Sequence, residues 1–218
     1  MERIICLIIG YVFGLFQTAY FYGRLKGIDI RQHGSGNSGT TNALRVLGTR
    51  AGLIVFAGDF LKCAIAVFAV RLIFGGKYPE IIYLLCLYTG AGVILGHNFP
   101  FYMNFKGGKG IAATAGLILG FHPYFIVPGL VLFFGTFLLT HYVSLGSLLV
   151  YAGFMAEMVI CGQLGVFGEM SQVHLYELYG VAAFLTVLAY WKHRANIKRL
   201  LTGTERKTYL FKKNKEAL

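Results

Sequence analysis

Runs of about 20 apolar residues recur along most of this 218-residue sequence, and they constrain its fold more than any other feature. An α-helix of that length crosses the hydrocarbon layer of a bilayer, which is about 30 Å thick. Because 56% of the residues are hydrophobic and only 13% are charged, a water-soluble globule would lack the polar surface that it needs. The sequence therefore predicts an all-α, polytopic integral membrane protein that forms a single domain over residues 1–218.

Seven of these apolar runs are predicted to be membrane spans. The break between the fourth and fifth spans lies at residues 121–123. The alternative is one long helix over 110–140, kinked at Pro123 and Pro128. We place the predicted spans at 4–23, 52–74, 81–96, 108–122, 124–140, 143–162 and 174–191.

Basic residues collect on one side of these predicted spans. Most of the 20 Lys and Arg residues fall between spans one and two, between spans three and four, or after span seven. Cytoplasmic connections are enriched in Lys and Arg, so we predict an external N-terminus and a basic cytoplasmic tail over 191–218. Six spans would place this tail outside, so the charge pattern favours seven. The four polar segments that suggest chemistry, 31–45, 96–110, 141–147 and 193–205, all lie on or beside the inner face, which predicts a single site there.

The sequence GSGNSG at 34–39 has the spacing of a dinucleotide-binding loop but lacks its context, because no apolar strand precedes it. Glycines here let the backbone approach an anion and turn its N–H groups toward it. Thr40 or Thr41 is expected to cap a short helix that carries Arg45. A flexible polar connection is the alternative, but we favour an anion site. Its candidate residues are Gly34, Ser35, Gly36, Asn37, Gly39, Asn42 and Arg45.

A second glycine motif, GHNFPFYMNFKGGKG at 96–110, ends directly before a helix-like apolar run. A permissive backbone, a helix N-terminus and a lysine ammonium are the elements of a phosphate-binding loop. The motif is not a Walker A loop, which would need a glycine at Met103 and a hydroxyl residue at Gly110. The alternative is that its lysines only reflect the excess of basic residues in cytoplasmic segments. The candidate residues are His97, Lys106, Gly107, Gly108, Lys109 and Gly110.

Three further pairs of polar residues lie three positions apart, which places each pair on one face of a helix. These pairs are Ser144 with Ser147, His193 with Asn196, and Asp59 with Lys62. The serine pair lies at the inner mouth of span six, although serines commonly satisfy backbone groups in membrane helices. The pair within span two is predicted to form an ion pair that is structural.

The acidic residues are spread along the chain without the clustering of a magnesium site. The HxxxxD acyltransferase pattern and the GxSxG nucleophile motif are both missing from the sequence. We therefore expect no metal, no cofactor, no nucleic-acid partner and no covalent intermediate on the enzyme.

Three segments carry a family resemblance: GSGNSGTTNALR, GHNFPFYMNFKGGKG and HRANIKRLLTGTE, in this order in a chain of seven predicted spans. They resemble the bacterial acyl-phosphate:glycerol-3-phosphate acyltransferases, the PlsY family. The resemblance implies transfer of a fatty acyl group from acyl phosphate to the 1-position of glycerol 3-phosphate. The products would be lysophosphatidic acid, for phospholipid biosynthesis, and inorganic phosphate. It further implies a multi-pass protein of the bacterial cytoplasmic (inner) membrane with its active site facing the cytoplasm.

The resemblance also implies roles for individual residues. The expected activity residues are Ser35, Arg45, His193 and Asn196. The 107–110 loop is expected to bind glycerol 3-phosphate, and the expected structural residues are Asp59, Lys62 and Glu205. The sequence departs from residues common in the family at Thr40, Cys63 and Ala195, and none of these departures removes a required functional group. We expect a monomer, since no GxxxG seam stands out as significant.

The residues and the resemblance together give a mechanistic hypothesis without a metal. Lys109, Arg45 and the glycine amides hold the two substrate phosphates and bring the glycerol hydroxyl to the acyl carbonyl. Asn196, Ser35 or a backbone N–H stabilises the oxyanion. The hydroxyl proton passes to His193 or to a substrate phosphate oxygen.

Two other functions are compatible with parts of the sequence. A transporter or scramblase of an anionic lipid or phosphate ester would also use glycines and basic residues, but it predicts polar residues at all membrane depths. An acyltransferase could instead use acyl-CoA or acyl-carrier protein, although the sequence has no large soluble insert to bind such a donor.

Overall fold

The computed structural model describes residues 1–209, and all regular secondary structure in this range is helical. Residues 210–218, the end of the predicted basic tail, lie outside the described residues. No β-strand occurs between residues 1 and 209, which confirms the predicted all-α class.

The helices follow one another with short connections. They are α1 (Glu2–Gly14), α2 (Thr18–Leu25), α3 (Thr40–Leu47), α4 (Thr49–Phe74), α5 (Ile82–Asn98), α6 (Ile111–Phe121), α7 (Ile126–Leu130), α8 (Thr136–Thr140), α9 (Val143–Gln163), α10 (Gln172–Lys192) and α11 (Arg194–Leu201). Short 3₁₀ segments occur at Ile30–Gln32, Pro79–Ile81, Phe101–Met103 and Pro123–Phe125. A π-helical stretch at Val131–Gly135 joins α7 to α8.

Six helical stretches of the described chain are long and apolar enough to cross a membrane. Two of them combine consecutive helices, α1 with α2 and α7 with α8. The predicted fourth span corresponds to α6, which has only 11 residues and is therefore about 16 Å long. The fold is that of a polytopic membrane protein, and the count of seven crossings and their orientation stay predictions.

The first predicted span, 4–23, is interrupted between α1 and α2. Gln17 lies in this break with φ of −98° and ψ of 89°. Its side-chain amide donates to the carbonyl oxygens of Gly14 and His97 at 3.2 and 3.1 Å. The interruption therefore joins the end of α1 to the end of α5 through a buried polar side chain.

The alternative of a single kinked helix over 110–140 is wrong. Helix α6 ends at Phe121, and His122 is extended, with φ of −159° and ψ of 139°. Pro123 then occupies the first position of a 3₁₀ segment, where a missing N–H leaves no hydrogen bond unmade. The predicted break at 121–123 is confirmed.

Helices α1 and α5 pack closely along two pairs of glycines. A Cβ atom added at Gly10 would lie 2.0 Å from a backbone oxygen of α5, and one added at Gly92 would lie 2.2 Å from a backbone oxygen of α1. Gly14 and Gly96 continue this contact one turn further along. The expectation that no GxxxG spacing is significant is therefore wrong. Both GxxxG spacings, one in α1 and one in α5, lie at this contact, where small residues let the two helix backbones approach.

Helix α5 is the central element of the bundle, in contact with α1, α4, α6 and α10. Leu84, Leu85 and Leu87 are completely buried within it. Its last two residues, His97 and Asn98, are also buried. Because α5 is held on several sides, these residues form a rigid base for the glycine loop that follows.

We predict that Gly92→Ala destabilises the bundle by about 2 kcal/mol, because overpacking a close contact forces the two backbones apart. Gly180→Ala is the matched control, since a Cβ at this helical position in α10 meets no atom within 4 Å. Thermal unfolding in detergent checks both variants. A Gly92→Ala protein as stable as Gly180→Ala would contradict the close α1–α5 contact.

Candidate active site

One polar cavity of about 380 Å³ brings together most of the residues that the sequence singles out. Its walls come from the segment before α3, the loop before α6, the start of α9, the α10–α11 corner and residues 205–206. Predicted site residues in the lining are Gly34, Ser35, Gly36, Asn37, Gly39, Asn42, Arg45, Asp59, His97, Lys109, Gly110, Ser144, Ser147, His193, Asn196 and Glu205. Predicted site residues outside the lining are Lys62, Lys106, Gly107 and Gly108.

The first glycine segment is organised by Asn42, which is 1% exposed. Its amide nitrogen donates to the carbonyl oxygens of Ile30 and His33 at 3.1 and 3.0 Å, and its oxygen accepts from the Ser35 amide at 2.8 Å. The predicted threonine cap is wrong, because Gly39 is the N-cap of α3 and no side-chain cap bond forms there. Asn42 therefore shapes this loop from inside.

Backbone amides of both glycine loops are hydrogen-bonded within the chain. Gly36 and Gly39 donate to nearby carbonyl oxygens at 3.0 Å, and Gly107 and Gly108 donate to the end of α5 at 3.2 and 3.1 Å. The expectation that these four amides face an anion is wrong. The first turn of α6, whose amides have no acceptor inside their own helix, lines the cavity instead.

Lys109 reaches from the second loop across the cavity, where its ammonium donates to Oδ1 of Asn196. The next residue, Gly110, is the N-cap of α6 with φ of 86°, a conformation that residues with a side chain rarely adopt. Burial and the nearby guanidinium of Arg199 lower the pKa of Lys109 to about 8, which the carboxylate of Glu205 partly opposes. Lys109 is therefore a desolvated cation close to its titration point at neutral pH.

Glu205 connects two helices, α9 and α11, at this site. Its Oε1 accepts from Ser144 Oγ at 2.8 Å and from Asn196 Nδ2 at 2.7 Å, and its Oε2 accepts from Arg199 Nε at 2.7 Å. Burial acts to raise the pKa of Glu205, but these three donors outweigh it and lower the pKa. The group is thus a carboxylate at neutral pH. Ser147, by contrast, donates to the backbone oxygen of Val143 at 2.8 Å, as serines in membrane helices commonly do.

His193 caps the end of α10 and is 3% exposed. Its Nδ1 lies 2.8 Å from the carbonyl oxygen of Ala189, so Nδ1–H is the donor and Nε2 carries the lone pair. Burial, together with the positive charge of Lys109, lowers the pKa of His193 to about 4. The imidazole is therefore neutral at physiological pH and presents an acceptor to the cavity.

Arg45 lies on α3 and is 8% exposed. Its Nη2 donates to Thr208 Oγ1 at 2.6 Å and to the carbonyl oxygen of Arg206 at 3.2 Å. Neither Thr208 nor Arg206 is predicted as a site residue from the sequence, because both follow the last recognisable motif. Lys192 is a further lining residue that sequence analysis assigned only to the basic tail, and it donates to the Asn98 carbonyl at 3.2 Å.

A buried polar network extends inward from the cavity wall, which Asp59 and His97 line. The predicted ion pair is present, with Lys62 Nζ 2.9 Å from Asp59 Oδ1. Lys62 also lies 3.0 Å from Nδ1 of His97, and because an ammonium only donates, Nδ1 accepts and Nε2 carries the proton. A Cβ atom added at Gly108 would lie 2.1 Å from this Nε2. His97 therefore packs against the second glycine loop, and only a glycine fits at position 108.

An apolar groove of about 430 Å³ adjoins the polar cavity. Its walls come from α3, α4, α6 and the α7–α8 stretch. Leu53, Leu130 and Phe134 are half exposed along it, so the groove opens toward the side of the bundle that faces lipid. The residues that line both spaces are Thr40, Thr41, Ile111, Ala112 and Val143.

A family model described as glycerol-3-phosphate acyltransferase matches residues 4–203. The chain belongs to this family. The glycerol-3-phosphate acyltransferase of Clostridioides difficile (strain 630) is 40% identical over 206 residues, which cover 94% of each chain. The acyltransferase of Bacillus subtilis (strain 168) is 36% identical over 204 residues, with 92% of this chain and 95% of that one covered.

Two crystal structures of PlsY (YgiH), an integral membrane glycerol 3-phosphate acyltransferase, share the fold of this family member. The glycerol 3-phosphate form has a TM-score of 0.80 at 32% identity and covers 97% of this chain and 100% of that one. The lysophosphatidic acid form has a TM-score of 0.76 at 31% identity, with 96% and 97% covered. The family match ends at residue 203, so Glu205 and Thr208 lie beyond it.

Proposed function

We propose that this acyltransferase moves a fatty acyl group from acyl phosphate to the 1-position of glycerol 3-phosphate, with lysophosphatidic acid and inorganic phosphate as products. The observation that carries the proposal is the shared wall between a basic polar cavity and an apolar groove. A lipid-derived donor needs both spaces at once, since its phosphate is charged and its acyl chain is apolar. The names of the similar acyltransferases support glycerol 3-phosphate as the acceptor.

Side chains supply most of the phosphate-binding charge in this proposal. Lys109, Arg45 and Lys192 line the cavity, and the first turn of α6 adds backbone donors beside them. Two phosphates, one from each substrate, fit such a concentration of positive charge better than one. Holding both phosphates places the glycerol hydroxyl next to the acyl carbonyl, which is the main requirement for transfer from an activated donor.

His193 is proposed to orient the attacking hydroxyl through Nε2. With a pKa of about 4, its imidazole is a weaker base than a phosphate dianion, whose second pKa is about 6. We therefore assign the final proton to a phosphate oxygen. The hydroxyl oxygen bonds to the carbonyl carbon, the bond from that carbon to the phosphate oxygen breaks, and inorganic phosphate leaves.

Ser35 is the proposed donor to the oxyanion that forms during this attack. Its side chain is exposed and lines the cavity, and its Oγ accepts a long contact of 3.4 Å from the Asn37 amide. Asn196 has less freedom, since its two amide atoms already contact Lys109 and Glu205. Asn196 is thus better suited to hold Lys109 in place than to follow the developing charge.

We further propose seven crossings in a single domain, a cytoplasmic site in the inner membrane, and a monomer. The basic connections around the cavity support this orientation. Helix α6 completes a crossing together with the segments on either side of it. A transporter is less well supported, because Asp59 and Lys62, which lie deep in α4, form an ion pair with each other.

The donor is tested with purified protein in detergent and radiolabelled glycerol 3-phosphate. Palmitoyl phosphate, palmitoyl-CoA and palmitoyl-acyl-carrier protein are offered in separate reactions. We expect labelled lysophosphatidic acid with palmitoyl phosphate alone. Product with another donor only would overturn the proposed donor, and no product with any of the three would overturn the proposed function.

The pKa of Lys109 predicts the alkaline limb of activity. The ammonium is lost as pH rises through about 8, so wild-type kcat/KM should fall above that pH. Lys109→Arg keeps its charge and should weaken this limb below pH 10, leaving the part due to Lys192, whose pKa burial also lowers to about 8. Its absolute rate will be lower because the contact with Asn196 changes. Lys198→Arg, at an exposed position on α11, should keep the wild-type profile. If kcat/KM of Lys109→Arg fell above pH 8 as steeply as in the wild type, the assignment of this fall to Lys109 would be contradicted.

The apolar groove predicts a variant with altered chain-length preference. Gly129 lines the groove, and a Cβ there would make only ordinary contacts of 3.5 and 3.9 Å with Ile118. Gly129→Leu should reduce kcat/KM for palmitoyl phosphate by about tenfold relative to decanoyl phosphate, because displacing two methylenes costs about 0.8 kcal/mol each. Gly135→Leu, where a Cβ meets no atom within 4 Å, is the control. Equal losses for both donors would argue against acyl binding in the groove.

A further inference from the structure

The segment 203–209, here named the C-terminal strap, lies against the turn between α8 and α9. The Thr208 amide donates to the carbonyl oxygen of His141 at 2.9 Å, and the ring of Tyr209 lies 4.8 Å from that of His141. Lys207 lies over the ring of Tyr142 at 5.9 Å. Together with Glu205, which binds Ser144, these contacts fix the strap at several successive residues.

Thr208 is the most buried residue of the strap, at 1% exposure. Its amide is bonded to the α8–α9 turn, so its hydroxyl has little positional freedom. That hydroxyl accepts from Nη2 of Arg45 at 2.6 Å, and the Arg206 carbonyl accepts from the same nitrogen at 3.2 Å. The strap therefore holds one end of the Arg45 guanidinium in a defined position.

This contact lies where the two spaces of the site meet. Arg45 and Arg206 line the polar cavity, whereas Thr208 lines the apolar groove. A guanidinium has five N–H donors, and the hydroxyl of Thr208 fixes the direction of one of its nitrogens. A carboxylate at position 208 would instead compete with a substrate phosphate.

We propose that Thr208 is a positioning residue that aims Arg45 at a substrate phosphate at the junction of the cavity and the groove. This inference rests on the proposed function, because it needs a phosphate substrate at Arg45. It adds to the site a segment that lies beyond residue 203, where the match to the family model ends.

The test compares three variants in detergent. Thr208→Val removes the hydroxyl at nearly constant volume, and Thr208→Ser restores it. Thr204→Val is the matched control, because Thr204 is an exposed residue of the same strap and its hydroxyl is hydrogen-bonded to the exposed hydroxyl of Thr202 at 2.9 Å. The readouts are KM for each substrate, kcat, the unfolding temperature without ligand, and the affinity for glycerol 3-phosphate measured by ligand-induced thermal stabilisation.

Thr208→Val is expected to raise KM for one of the two phosphate substrates about tenfold or more, as loss of a hydrogen bond to a charged group implies. Its kcat should stay within about twofold of wild type, since no reacting atom contacts Thr208. Thr208→Ser should recover the wild-type KM, and Thr204→Val should not change it. A merely structural role would lower the unfolding temperature and the active fraction without this separation of KM from kcat.

The outcomes separate the two proposals. An active wild type whose KM values are unaffected by Thr208→Val would overturn the role of Thr208 alone. A wild type that binds glycerol 3-phosphate without acylating it would overturn the proposed function. In that case, a weaker affinity of Thr208→Val for glycerol 3-phosphate would support the role of Thr208, and an unchanged affinity would overturn it. A wild type that neither binds nor acylates glycerol 3-phosphate would overturn both.

Discussion

The buried carboxylate of Glu205 is the group on which the arrangement of the site depends. It accepts hydrogen bonds from the start of α9 and from two residues of α11, so three separate parts of the chain meet at one charge. Asn196, one of these donors, passes the connection on to Lys109. Without the carboxylate, Lys109 and Arg199 would face each other as like charges in a desolvated space, where repulsion is strong.

The other side of the cavity depends on packing rather than charge. Glycines let α1 and α5 approach until their backbones touch, and this contact brings Gln17 within reach of the end of α5. The end of α5 in turn accepts the amides of Gly107 and Gly108. In a membrane every buried polar group needs a partner inside the protein, so the loop that carries Lys109 has few alternative conformations. A close helix contact far from the cavity thus fixes the position of its central cation.

Local features of the sequence were sufficient to predict the membrane class, the break at 121–123 and the meeting of three motifs in one cavity. Hydropathy and residue spacing report directly on such features. The interruption at Gln17 could not be predicted, because its hydrogen bonds reach α5, some 80 residues away in sequence. The partners of the glycine amides and the Arg45–Thr208 contact are also long-range. Thr208 has no motif around it, and only the path of the strap brings it to Arg45.

The glycine loops have a different structural role from the anion binding by backbone N–H groups that their sequence spacing indicates. In the structure their amides are largely bonded within the chain, so they form a shaped support for charged side chains rather than a ring of donors. Lys109 has a neutral contact, Asn196, and Arg45 donates to the hydroxyl of Thr208. The carboxylate of Glu205 is one residue removed from Lys109 and is bonded to Arg199. At Lys109 a neutral contact fixes direction while leaving the charge of the ammonium to attract an anion, whereas a direct carboxylate contact would already neutralise it. This separation of orientation from neutralisation explains how a buried, basic cavity is stable in the protein and still suited to phosphate.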